Sequence, residues 1–380
     1  VSPTKGIGRA RLGGIESLRA YAAIAIVMTH LVSVGHAAIP ESLDFIRTRF
    51  GLGVPLFFAV SGFSMAYGYW GRLADEASIK EYFIRRFTRI APLFYFMLVF
   101  NLIYLYFEAG VTFSPVEVLL NAMFVFNVIP HMTDGIVPAS WSIGVEMVFY
   151  AIFPLMLMIN RSIVAGVLLL VLSIAMATHF SMDMETSKAV VPSFIYHNFL
   201  TNFPYFMWGI LGYHIYIKVI DSVERGRFRY ISYALCVVAL LTPIFLYKDG
   251  PLFNFFLEKN MRTTWATLWG VPLCMVCIAM ALHPSRLLSN PLTRYLGMIS
   301  FSLYLVHPSV LYKLGQAGLY NWVLDLFNGR MIYAYAFSLV ISMLIITAIS
   351  VLTYRFIEKP GMNWGKRITT PKSTDSVLST

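Results

Sequence analysis

The chain has 380 residues, of which 58% are hydrophobic, 16% aromatic and only 13% charged, with a mean hydropathy of +0.69 and a formal charge of +10. Soluble globular proteins carry roughly 45–50% apolar and about 25% charged residues, so this composition excludes a water-soluble enzyme and removes length as a guide to domain number. Three cysteines, Cys236, Cys274 and Cys277, lie inside apolar runs; they are too few for a disulfide framework and read as packing residues.

A hydrocarbon core of about 30 Å needs roughly 20 apolar residues per helix. Segments near 17–36, 51–70, 90–107, 141–159, 162–180, 199–217, 230–247, 263–283, 295–315 and 332–354 meet that need. An eleventh apolar stretch, 116–128, is shorter and reads as re-entrant or interfacial. If it does not cross, the basic clusters at the chain start, at 72–89, at 218–229 and after 355 all fall on the cytoplasmic side, as the positive-inside rule requires. The expected fold is an all-α polytopic membrane protein with ten transmembrane helices plus one short re-entrant or interfacial segment. Both termini lie in the cytoplasm and the chain sits in the inner membrane. Residues 1–11 are expected as a cytoplasmic segment, 12–367 as one membrane domain and 368–380 as a polar, disordered tail. The first apolar run carries Arg19 and His30 and lacks a small-residue cleavage site, so it reads as a retained helix and not a signal peptide.

An ionisable group at mid-membrane costs about 2.5–3.5 kcal/mol or more, which makes each one a functional candidate. Arg19 and His30 are eleven residues apart in ESLRAYAAIAIVMTH, about 16 Å of helical rise and within about 20° of one face. Arg19 then sits at the cytoplasmic mouth and His30 lies deeper in the same groove. In GVPLFFAVSGF, the small residues Gly53, Ser61 and Gly62 allow helices to approach closely. FIRRFTRIAP places Arg86 and Arg89 three apart on one helical face; such guanidinium forks anchor a membrane protein at its inner surface or clamp phosphate bidentately. WSIGVE carries Glu146 about 7–8 Å inside the outer boundary, below Trp141. SFSLYLVHP brings Tyr304 and His307 to one side of a late helix, and Glu358 beside Lys359 in YRFIEKP reads as an interfacial charge pair.

Taken in order, SLRAYAAIAIVMTH, GVPLFFAVSGF, RRFTRIAP, WSIGVE, SFSLYLVHP and YRFIEKP resemble the membrane-bound acyltransferase 3 family, whose members O-acylate glycans and some small molecules. The resemblance runs from about residue 12 to 367. It implies a catalytic His30, with Glu146 and His307 as further catalytic groups. Arg19, Arg86, Arg89, Ser302 and Tyr304 are assigned to the donor, and Trp141 and Ser142 to the acceptor. Ile143 stands where the family more often has Leu. The donor implied is acyl-CoA, acetyl-CoA first, and the acceptor a glycan or glycoside hydroxyl; no metal and no nucleic acid is called for. Whether His30 acts as a general base in direct transfer or is itself acylated, whether Glu146 or His307 contacts it, and whether the chain forms a homo-oligomer are left open by the sequence. A secondary transporter or glycan exporter is the competing class, since it too carries intramembrane prolines and ionisable groups.

Overall fold

The computed structural model describes residues 11–130, 134–186, 192–247 and 250–369. Most of the expected 1–11 and 368–380 segments lies outside these. Among the described residues all regular structure is helical. Ten helices carry the fold: α1 Gly13–Ser33, α2 Gly53–Tyr69, α3 Glu76–Ala109, α4 Trp141–Ile159, α5 Ile163–Thr186, α6 Phe199–Ser222, α7 Phe228–Phe245, α8 Gly270–Leu282, α9 Ser300–Gln316 and α10 Met331–Thr353. Short helices join them, including Pro192–His197 before α6, Pro291–Met298 before α9 and Lys359–Thr369 after α10.

Eight helical stretches among the described residues are long and apolar enough to cross a bilayer. Length and hydropathy alone thus support eight of the ten expected crossings among the described residues. The two expected segments that fall short are α6, which carries Asn202, three tyrosines and His214, and α9, which has only 17 residues. The reason is physical. α6 packs against α2, α5 and α8 and buries much of its length, so its side chains meet protein and have no need to be lipid-like. By contrast α5, α7 and α10 expose apolar side chains such as Leu168, Leu240 and Leu344, the surface a bilayer solvates. The 116–128 stretch folds only as the short helix Pro115–Ala122 and one further tight turn.

Capping residues set several boundaries. α3 starts at a capping box in which Asp75 accepts from the Ser78 amide at 2.7 Å, and this bond holds the Asp75 carboxyl below its usual range. The close approach expected of the second segment is present. A Cβ on Gly62 would stand 2.2 Å from the Phe206 carbonyl oxygen, and one on Gly209 would stand 2.0 Å from that of Ala59. Backbone therefore meets backbone where α2 crosses α6, and this crossing fixes the wall behind the site.

Candidate active site

His30, near the C-terminal end of α1, pairs with His307 of α9. The rings stack with centroids 5.0 Å apart, and His30 Nδ1 lies 2.8 Å from His307 Nε2. Pro308 inside α9 has no amide proton to give to the Tyr304 carbonyl one turn back. His307 Nδ1 sits against the carbonyls of Leu303 and Tyr304, 3.3 Å from the former. Its proton is thus on Nδ1, its Nε2 is an acceptor, and His30 Nδ1 must be the donor between the rings. That assignment, made from the hydrogen-bond network, leaves the Nε2 lone pair of His30 available as a base. His307, and not Glu146, contacts His30.

A cavity of about 60 Å³ opens beside this pair, lined by Arg19, Arg89, Ser61, Ser142, Glu146 and Tyr304 among others. Arg19 comes from α1, Ser61 from α2, Arg89 from α3, Glu146 from α4 and Tyr304 from α9, so five helices converge on it. Glu146 accepts from Ser61 at 2.8 Å and from Tyr150, its i+4 neighbour. Ser142 Oγ lies 2.7 Å from the Tyr304 hydroxyl, and both hydroxyls reach the Ala139 carbonyl, Tyr304 at 3.0 Å and Ser142 at 3.4 Å. Ala139 adopts a left-handed φ of 63°, a conformation costing a non-glycine residue about 1–3 kcal/mol. The strained turn aims its carbonyl at Tyr304. The Tyr304 ring lies 5.6 Å from that of His307, so the histidine pair adjoins the cavity across Tyr304 and His30 itself is not part of its wall.

The two arginines expected as one clamp part company. Arg89 lines the cavity, whereas Arg86 lies over the rings of Tyr69 and Tyr150, donates to the Tyr69 hydroxyl at 3.1 Å and lines a separate apolar groove of about 430 Å³. Ser302 does not reach the cavity either. It is fully buried and donates to Glu358 at 2.8 Å. Glu358 is correspondingly not an interfacial partner of Lys359. It is wholly buried at the end of a π-helical turn, Tyr354–Glu358, whose extra residue rotates the downstream helix by about 100° and brings the carboxylate inward.

Trp141 is buried under aromatic neighbours. Its ring stacks on His197 at 4.4 Å and leans on Tyr196 at 5.2 Å, with Phe58 edge-on at 6.3 Å. His197 Nδ1 stands 2.8 Å from Asp134 Oδ1, at ion-pair distance but out of line for a hydrogen bond. Burial lowers the His197 pKa below its ordinary 6.5, against the opposing pull of Asp134. Asp134, Tyr196 and His197 were not singled out from the sequence; Asp134 stands in the turn before α4, and the adjacent Tyr196 and His197 end a short helix 62 residues further on, with no motif joining them. Tyr150 was not singled out either, although its i+4 spacing from Glu146 is a signal that could have found it.

Of the site residues described, all but Glu358 lie within one continuous family match: the acyltransferase-domain family of type 3 covers residues 12–355. The chain belongs to that family. This acyltransferase is 26% identical over 326 residues to a provisionally named acetyltransferase of Acidianus two-tailed virus, a match covering 80% of this chain and 85% of that protein. It is 22% identical over 389 residues to a provisionally named peptidoglycan O-acetyltransferase of Bacillus subtilis (strain 168), covering 93% of this chain and 55% of the relative. With the peptidoglycan O-acetyltransferase of Listeria monocytogenes serovar 1/2a it shares 24% over 345 residues, 80% of this chain and 50% of the relative. The acyltransferase thus spans about half the length of these two bacterial relatives. No solved structure matches it.

Proposed function

We propose that this acyltransferase is a membrane-embedded O-acyltransferase that moves an acyl group, acetyl first, from cytoplasmic acyl-CoA to a hydroxyl of a glycan or glycoside on the outer side of the inner membrane. The observation that carries the reading is the His30–His307 pair adjoining a cavity that holds Arg19 and Arg89. In this reading ten helices cross, with both termini cytoplasmic. α6 supports that count because its 24 residues give about 36 Å of rise, enough to span, and because it lies alongside α2 and α5.

Acyl transfer needs a base on the acceptor hydroxyl, stabilisation of the oxyanion and alignment of both reactants. His30 Nε2 takes the acceptor proton as the hydroxyl oxygen attacks the thioester carbonyl carbon. The carbon–sulfur bond then breaks and the thiolate leaves with the proton from the imidazolium. His307 holds the ring and accepts from the Nδ1–H of that imidazolium. Arg19 and Arg89 hold anionic parts of the donor, and the Tyr304 hydroxyl turns its proton from the Ala139 carbonyl to the developing oxyanion. The relatives named as O-acetyltransferases favour acetyl as the acyl group.

The test is thiol release from acetyl-CoA by the detergent-solubilised protein, where transport is impossible. His30→Ala is expected to lower turnover by ~10²-fold or more, the usual contribution of a positioned base, with an unchanged size-exclusion profile. Near-normal turnover would remove His30 from the mechanism. Gradient-dependent uptake into vesicles without donor cleavage would favour a carrier instead.

A further inference from the structure

On the Trp141 side of the cavity, side chains from three segments form a ledge for which the transfer steps have no use. Asp134 precedes α4, Trp141 begins it, and Tyr196 and His197 end the helix Pro192–His197. The ledge is built rigidly. Asn127, itself buried, donates through Nδ2 to the carbonyls of both Trp141 and His197, at 3.2 and 3.3 Å. The His197–Trp141 stack is nearly parallel, at 21°.

Two of its groups are open. The Tyr196 residue is 51% exposed and the Asp134 side chain 74% exposed. A phenol ring left bare above a packed aromatic layer offers a flat apolar face, and a carboxylate beside it offers strong acceptors to hydroxyl donors. Trp141 packs edge-on against Phe58 and is followed by Ser142, and both Phe58 and Ser142 are in the cavity wall. The ledge therefore adjoins the cavity. Buried polar atoms also wait there: Asn127 Oδ1 and Ser140 Oγ have no hydrogen-bond partner among the described residues.

We propose that this ledge is a saccharide subsite, in which a pyranose ring lays its C–H face on Tyr196 and donates its hydroxyls to Asp134 and His197. The proposal rests on the acyl-transfer reading for its purpose, naming the acceptor class as a carbohydrate ring, but it is tested without any acyl donor. A sugar ring carries an apolar face and a rim of hydroxyl donors, and the aromatic face and carboxylate match those two features.

The test is saturation-transfer NMR on the detergent-solubilised full chain, with chitotetraose and maltotetraose as probes. Saturable binding of at least one is expected. Tyr196→Ala should weaken it at least tenfold and Asp134→Asn at least fivefold, whereas Tyr196→Phe, which keeps the ring, should stay within threefold. Lys313→Ala, on a different exposed surface, serves as a control with unchanged binding. No saturable binding of either probe, or equal binding by Tyr196→Ala and the wild type, would overturn the subsite. So would displacement of the saccharide by choline at low concentration, which would mark the ledge as a cation site. Because no thioester is present, a negative result leaves the transfer reading intact. Conversely, failure of acetyl-CoA cleavage by the solubilised protein leaves the binding result intact.

Discussion

Replacing His307 tests the role assigned to the histidine pair. His307 is fully buried and holds His30 through one 2.8 Å contact, His30 Nδ1 to His307 Nε2. When His30 takes a proton that contact becomes a hydrogen bond from a charged donor, worth ~1.5–3 kcal/mol. At about 1.36 kcal/mol per decade, His307→Leu should lower kcat for acetyl-CoA turnover ~10–150-fold while leaving the donor KM within about twofold. A glutamine at 307 places its amide oxygen where Nε2 accepts, so His307→Gln should recover most of the loss. The double variant with His30→Ala should be no slower than His30→Ala alone, because His307 acts only through His30. The assay is thiol release in detergent, with size-exclusion profiles and thermal unfolding as checks on folding. Turnover of His307→Leu within twofold of the wild type, or a double variant showing fully additive losses, would refute the pairing argument.

The divided arginines predict divided phenotypes. Arg89→Ala, on the cavity, should raise the acetyl-CoA KM by ~10-fold or more, the worth of a charge-assisted contact. Arg86→Ala should mainly lower thermal stability, since it removes a guanidinium lying over Tyr69 and Tyr150, contacts of ~0.5–2 kcal/mol each; the reverse order of KM effects would contradict the assignment. Gly62→Ala would push a Cβ to 2.2 Å from the Phe206 carbonyl oxygen, and overpacking of this kind costs about 1–3 kcal/mol or more. A wild-type melting temperature for that variant would show that the α2–α6 crossing can yield. The lowered His197 pKa makes the unfolded chain bind its proton first, so this residue's contribution is complete above pH 6.5 and is lost as pH falls below it. His197→Gln should flatten that part of the thermal-stability profile, and an unchanged slope between pH 7 and 5.5 would argue against it.

The sequence is legible wherever local physics controls the outcome. Helices with a lipid-facing side announce themselves by hydropathy, so α5, α7 and α10 could be read directly; α6 was placed correctly as a helix, but its polar side chains answer to protein neighbours and fall short of a lipid criterion. The shared face of Arg19 and His30 comes from helical periodicity alone. The choice of His307 over Glu146 as partner of His30 depends on how α1 and α9 lean together, and on Pro308 freeing a carbonyl, which no single-segment pattern carries. Glu358 was misplaced because a π-helical turn changes the phase of the helix, and hydropathy is blind to that. Arg86 and Arg89 share a face at i+3 spacing, yet the aromatic rings of Tyr69 and Tyr150 take up the first of them. Asp134, Tyr196 and His197 meet only through tertiary structure.

The central claim is that donor and acceptor reach His30 from opposite faces of the bilayer. Right-side-out vesicles from cells expressing the chain, loaded internally with acetyl-labelled CoA, test it on native acceptors. The account predicts ester-linked label in the outward-facing glycans of wild-type vesicles, and almost none with His30→Ala. Equal labelling by His30→Ala, or labelling only when the donor is supplied from outside, would contradict it.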